Sequence, residues 1–346
     1  MRPILAALCL AAGTANAAPP GAPSLSLPVD CALGLTCHIQ NYADRDPGSG
    51  AVDHTCGSLT YDGHNGTDFR LRDMTALFRG TDVLAAAPGI VTATRDGVPD
   101  VALGAAGAPD IRGRECGNAV IVSHPQGWRT QYCHLREGSL TVERGDPVAR
   151  GQVLGEIGLS GATEFPHLHF AVRDGEGRVI DPFDARAVGE SCRFEERETL
   201  WDDPAISYTA GGVLTAGILD RLPDYQEVKD GIAARTRLTT DADAVVFWVH
   251  FFGLSAGDRL QLEFTGPEGE EVARHEHVMP RARATEYRAV GRRMGADAGQ
   301  VFPPGLYRGV GRLVRDDREI DRIEAFVRVD PVPSPSDPEA AGSDEE

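Results

Sequence analysis

The segment His167-Leu168-His169-Phe170-Ala171-Val172 reads as a β-strand, and no other stretch restricts the fold as much. Side chains two apart on a strand point the same way, so both imidazoles share one face while Leu168, Phe170 and Val172 point to the other. One face is then a site and the other a core. About a hundred residues earlier stands His64-Asn65-Gly66-Thr67-Asp68. Two imidazoles and one carboxylate are a complete protein contribution to a hydrolytic zinc site, which keeps one position open for water.

Spacing alone does not establish such a site. A chain with ten His produces a His-x-His by chance on the order of one time in three, and His275-Glu276-His277 is a second example. It has no His-x-x-x-Asp nearby and lies among Arg274, Arg281 and Arg283, which would repel a cation, so it is expected to be a solvated strand or loop. Taken alone, His64 and Asp68 could equally be a turn or cap pair in a glycine-rich loop.

A third piece, Tyr132-Cys133-His134-Leu135, lies between the other two. The order H-x-x-x-D, Y-x-H-L, then a Gly-rich stretch into Pro166-His167-Leu168-His169-Phe170 resembles the lysostaphin/LytM-type zinc endopeptidases that cut peptidoglycan. Ala87-Pro88-Gly89-Ile90-Val91, Gly117-Asn118-Ala119-Val120 and Gly151-Gln152-Val153-Leu154-Gly155 extend the likeness from about Cys56 to Pro182, roughly a third of the chain. The resemblance implies His64, Asp68 and His169 as ligands to one Zn2+ per chain, and His134 and His167 as the non-ligand catalytic pair. It also implies a mainly β fold, an antiparallel-sheet LytM-like peptidase domain. The expected function is zinc-dependent hydrolysis of peptide bonds in peptidoglycan cross-links or stem peptides by metal-activated water. The alternative is a non-hydrolytic wall-binding or hydrolase-activating module, as in relatives that have lost ligands; here all five residues are present. No helical HExxH supplies a built-in Glu base, so proton transfer falls to imidazole. One departure is the longer segment Gly158 to Pro166, whose Glu164 is expected at the rim of the cleft.

Residues 1–17 have the pattern of a secretory signal peptide: Arg2, an apolar Ile4 to Ala12, and Ala15-Asn16-Ala17 before the cut. The mature chain is therefore expected in the periplasm or secreted, with no membrane span. Cys9 lies inside the apolar run after Leu8, which does not suit lipidation. An exported chain should pair the remaining Cys31, Cys37, Cys56, Cys116, Cys133 and Cys192. Cys116 and Cys133 flank a hairpin turned around His124 to Gly127 and are expected to pair, provided a bulge corrects the register. The other four allow three connectivities.

Residues 18–30 read as a Pro/Ala/Ser linker, 31–195 as the peptidase domain with a cysteine-pinned cap, and 95–114 as a surface loop that either flanks the cleft or is passive. The acidic run Glu195, Glu196, Glu198, Asp202, Asp203 marks a boundary, and 205–330 is expected to be a β-sandwich, immunoglobulin-like in outline, of unassigned role. Its Trp248, Phe251 and Phe252 are expected in the core rather than on a glycan-stacking patch. Residues 331–346 form an acidic tail expected to be disordered. A formal charge of −18 excludes a nucleic-acid partner. It also gives no long-range attraction to partly anionic peptidoglycan, so recognition by this expected monomer rests on the cleft and perhaps the second domain.

Overall fold

The structure, a computed structural model, describes residues 19–192, 199–293 and 301–333. The signal segment, Glu195, Glu196 and Glu198, and most of the acidic tail lie outside the described residues. Its first part contains β1 (Cys37–Asn41), β2 (Thr67–Leu71), helix α1 (Met74–Arg79), β3 (Asp82–Leu84), β4 (Gly89–Arg95), β5 (Asn118–Ser123), β6 (Arg129–Leu135), β7 (Pro147–Val148), β8 (Val153–Glu156), β9 (His167–Arg173) and β10 (Val179–Ile180). The main sheet runs β1-β2-β9-β6-β5-β4-β7, with β10 also on β9, while β3 and β8 pair apart. Every ladder in it is antiparallel.

Alternation along β9 is obeyed. Leu168, Phe170 and Val172 are fully buried with Phe69, Val120, Val122 and Tyr132 in one core. Each such side chain contributes about 1.5–3 kcal/mol on burial, and a one-residue slip would expose all three, so the register of β9 is strongly held. The opposite face is thereby committed to His167 and His169.

Two boundaries differ from the sequence reading. Residues 18–30 are not a free linker: Leu25 and Val29 are buried in the first core, and Leu25 bridges Trp201. Alternating Leu25, Leu27 and Val29 supply an apolar face that the Pro/Ser content masks. Leu200 and Trp201, which precede Asp202 and Asp203, and Ile206 also belong to this core. The first unit therefore extends beyond residue 195, to at least Ile206.

The second part comprises β11 (Gly212–Leu219), α2 (Tyr225–Asp230), β12 (Arg237–Thr239), β13 (Ala244–Leu254), β14 (Arg259–Thr265), β15 (Glu271–Val278), β16 (Arg283–Arg293), β17 (Gly305–Arg315) and β18 (Arg318–Asp330). These make a sheet β11-β13-β16 and a sheet β12-β18-β17-β14-β15, the latter with a parallel β12–β18 pair. Side chains from both, including Phe247, Phe251, Leu262, Phe264 and Leu313, meet in a single core. β14 alternates half-buried and buried, whereas all eleven residues of β13 are buried. The second face of β13 is covered as well: Trp248 packs on Val228 and Ala233, and the Phe252 ring meets His38 at 5.2 Å. Trp248, Phe251 and Phe252 are thus packing residues.

The two parts are joined by Arg72 Nε donating to Leu214 O (2.8 Å) and Thr75 Oγ1 to Asp230 O (2.9 Å). Three disulfides tie the first part: Cys31–Cys37, Cys56–Cys192 and Cys116–Cys133. The last spans the β5–β6 hairpin, whose ladder carries a bulge between Asn118 and Val120.

Candidate metal centre

β2 and β9 are neighbours, and their register sets Asp68 directly opposite His169. His64 enters from the loop before β2. His64 Nε2, Asp68 Oδ1 and His169 Nδ1 form a triangle with sides of 3.0, 2.9 and 3.1 Å. Ligands held at about 2.0–2.2 Å on a tetrahedral ion stand roughly 3.3–3.6 Å apart, so a small opening would admit zinc. Among the described residues this is the one group of three or more His, Cys, Asp or Glu arranged to hold a metal ion.

Hydrogen bonds assign the nitrogens. His64 Nδ1 donates to Tyr42 O (2.7 Å), leaving a lone pair on Nε2. His169 Nε2 donates to Asn65 Oδ1 (3.1 Å), leaving one on Nδ1. Two lone pairs and a carboxylate oxygen therefore converge, and only a proton or a metal cation reconciles them. Burial would push the Asp68 carboxyl up, but the imidazoles of His64 and His167 overcome this and hold it well below the usual range. Burial likewise works against a charged His64, yet Asp68 draws its pKa above the ordinary value. The field that attracts a proton there would attract a cation.

Two supporting residues escaped the sequence reading. Asn41 Nδ2 donates to Asp68 Oδ2 (2.8 Å), which turns Oδ1 toward the histidines. It comes from β1 and carries no local signal. Gly66 lies within the first motif, and a Cβ there would come within 2.7 Å of the His169 ring and 2.6 Å of Phe170 O, so only glycine lets β9 approach.

His134 and His167 flank the triangle, with ring centroids 4.6 Å apart. Each is oriented by Nδ1: His134 donates to Ser160 O (2.8 Å), and His167 to Phe165 O (2.9 Å) with Thr163 Oγ1 at 3.0 Å. Both therefore keep Nε2 for the site, and His167 Nε2 lies 3.6 Å from Asp68 Oδ1. Burial is the main cause that lowers both pKa values, that of His134 further because His167 and His169 are close. Strict alternation along β6 would send His134 to the core side with Tyr132. Instead its φ of +63° and its lining of the cleft show the chain turned outward at that residue. Bonds from His134 N to Cys116 O and from Gly158 N to His134 O hold this left-handed conformation.

The cleft, about 300 Å³, is also lined by Tyr61, Glu115, Gln131 and Arg173. Glu164 is not on that wall; it borders a neighbouring groove with Arg70, Phe165 and Lys229. The 95–114 loop reaches the same groove through Ala102 to Ala105. It also braces the site: Asp100 accepts from Leu159 N (2.6 Å) and Leu103 N donates to Thr163 O (2.7 Å), fixing the segment that orients both histidines.

Residues 62–182, which hold all five of these groups, match Peptidase family M23. The chain carries an M23 peptidase domain. Over 107 residues it is 33% identical to the peptidoglycan DD-endopeptidase ShyA of Vibrio cholerae, covering 31% of this chain and 19% of that protein. Over 95 residues it is 34% identical to the cell division protein DipM of Caulobacter vibrioides, covering 28% and 13%. This chain thus spans less than a fifth of the length of these two relatives. The catalytic domain of lysostaphin from Staphylococcus simulans aligns at 22% identity with a TM-score of 0.27, over 41% of this chain and 85% of that one.

Proposed function

We propose that this chain is a zinc-dependent endopeptidase that hydrolyses peptide bonds in peptidoglycan outside the cytoplasm. The observation that carries the reading is the convergence of His64, Asp68 and His169 beside two imidazoles that each retain a cleft-side Nε2. The M23 match and the activity for which the Vibrio relative is named support peptidoglycan as substrate. Three disulfides and the signal-like residues 1–17 support an oxidising, exported location.

In this reading His64 Nε2, Asp68 Oδ1 and His169 Nδ1 hold the ion. When bound, zinc supplies Lewis acidity that acidifies water and polarises the scissile carbonyl. Asn41, Tyr42 and Asn65 fix the directions of the three ligands through their outer atoms. His134 and His167, kept neutral by burial, divide the proton work. One accepts the proton of the attacking water at Nε2 and returns it to the leaving amine, and the other donates to the developing oxyanion once its own Nε2 carries a proton.

The test is metal analysis of the mature protein followed by muropeptide release from sacculi with and without chelator. One zinc per chain and chelator-sensitive release are expected. Stoichiometric zinc with no release from any sacculus would overturn hydrolysis in favour of a wall-binding or hydrolase-activating module.

A further inference from the structure

The face of the sheet that carries His169 continues along β9 and β6 as the floor of the cleft. Its cross-strand pairs are Cys133 with His169, then Gln131 with Ala171, then Arg129 with Arg173. Gln131 is drawn aside, its Nε2 donating to the sulfurs of Cys116 and Cys133 at 3.2 and 3.3 Å. Opposite it stands only the methyl of Ala171. These pairs leave no charged side chain on this face between the metal site and the two arginines.

Like charges placed directly opposite on neighbouring strands destabilise a sheet, and this chain has 52 acidic residues against 34 basic ones with which to avoid that arrangement. Even so, among the described residues neither guanidinium forms an ion pair with a carboxylate. Arg173 makes one long bond, from Nη1 to Gly177 O at 3.3 Å. The adjacent Asp174 is engaged by Arg178 at 2.7 Å. Glu115, the acidic residue on the cleft wall, instead accepts from Gly113 N at 2.8 Å. Some other strand arginines are matched, as Arg308 with Glu324 and Arg312 with Glu263. Arg173 on the cleft wall and the exposed Arg129 paired opposite it form an unneutralised pair that suits an anion by charge and by donor geometry, since a guanidinium fork fits a carboxylate.

We infer that Arg173, supported by Arg129, binds a free carboxylate of the substrate and so selects carboxylate-bearing peptides. This rests on the peptidase reading of the same cleft. Arg173 is four residues along β9 from His169, about 13–14 Å at the strand rise. An extended peptide advances at a similar rate, so the recognised carboxylate lies within about four residues of the scissile bond. Arg173 is thus a specificity-determining residue, placed away from the bond being cut.

The experiment uses cross-linked muropeptides and the same muropeptides with their free carboxyls converted to amides. Binding is measured by calorimetry on zinc-loaded His134→Ala protein, with and without Arg173→Gln or Arg129→Gln. Turnover is measured with His134 intact, and thermal melting confirms folding. Arg173→Gln is expected to weaken the free-carboxyl ligands roughly tenfold or more while moving the amidated ones less than about twofold. In turnover the loss falls on KM rather than kcat, Arg129→Gln has the same direction with a smaller size, and added salt erodes the preference of the unmodified cleft. Equal binding of free and amidated ligands with Arg173 present would overturn the inference, as would an equal loss on both with Arg173→Gln. Absence of turnover with carboxylate-selective binding intact would instead count against the peptidase reading alone.

Discussion

Two strands of this protein carry His-x-His, and only one of them lies beside a metal-type site. On β9 and on β15 the paired imidazoles stand on one face, as the spacing requires. β9 lies inside its sheet, between β2 and β6. It therefore receives Asp68 opposite His169 from one neighbour, and Cys133 with the following His134 from the other. β15 is an edge strand on β14 alone, where His275 and His277 face Leu262 and Leu260. Its nearest charged partner is Arg288, whose Nη2 lies 2.8 Å from His277 Nε2, and that positive charge helps to lower the pKa of His277 after burial. The difference is one of neighbours: ligand spacing becomes a site when adjacent strands deliver a carboxylate, and becomes a solvated pair when the adjacent strand delivers leucines and the facing sheet a guanidinium.

The comparison can be broken most directly at Asp68. Asp68→Ala should reduce zinc in the purified protein from one per chain to near zero and abolish muropeptide release; retention of stoichiometric zinc would move the metal away from β9. A smaller loss is expected for His134→Ala and His167→Ala, each costing about 10²–10⁴-fold in kcat with zinc content unchanged. Full release by the double variant would remove both from the proton-transfer roles. Next is the staple between β5 and β6. Cys116→Ser with Cys133→Ser opens a loop of 17 residues, worth about 3 kcal/mol in chain entropy. A clear fall in melting temperature is expected, with zinc affinity changing less because the ligands lie on β2 and β9. At the bottom of the scale, His275→Ala with His277→Ala should leave zinc content and release unchanged; loss of zinc there would erase the distinction between the two strands.

Much of the site was legible before any tertiary information, because its parts are local. Alternation in His167 to Val172 separated ligand face from core face, and Gly66 sits within the first motif. Glu164 misled, since a residue two before Pro166 was expected on the cleft rim and instead faces the groove on the other side of Phe165. The 18–30 segment misled for a different reason: proline and serine content suggested a linker, but Leu25 finds partners more than a hundred residues away in Leu200 and Trp201, and Val29 bridges Val83. β13 could be recognised as buried but not as buried on both sides, because its second cover comes from α2 and from β1 of the other unit.

By itself, the sequence determined the donor types, the strand that presents two of them, the mainly β character and the M23 motif, since each depends on side-chain chemistry or on residues a few positions apart. Tertiary structure alone decided which His-x-His meets a carboxylate, how the four cysteines other than Cys116 and Cys133 pair, how Asn41 steers Asp68, and how a left-handed residue turns His134 out of the core and into the cleft. Those outcomes depend on strand order and register, which bring together groups from 17 to more than a hundred residues apart, and no local pattern encodes such contacts.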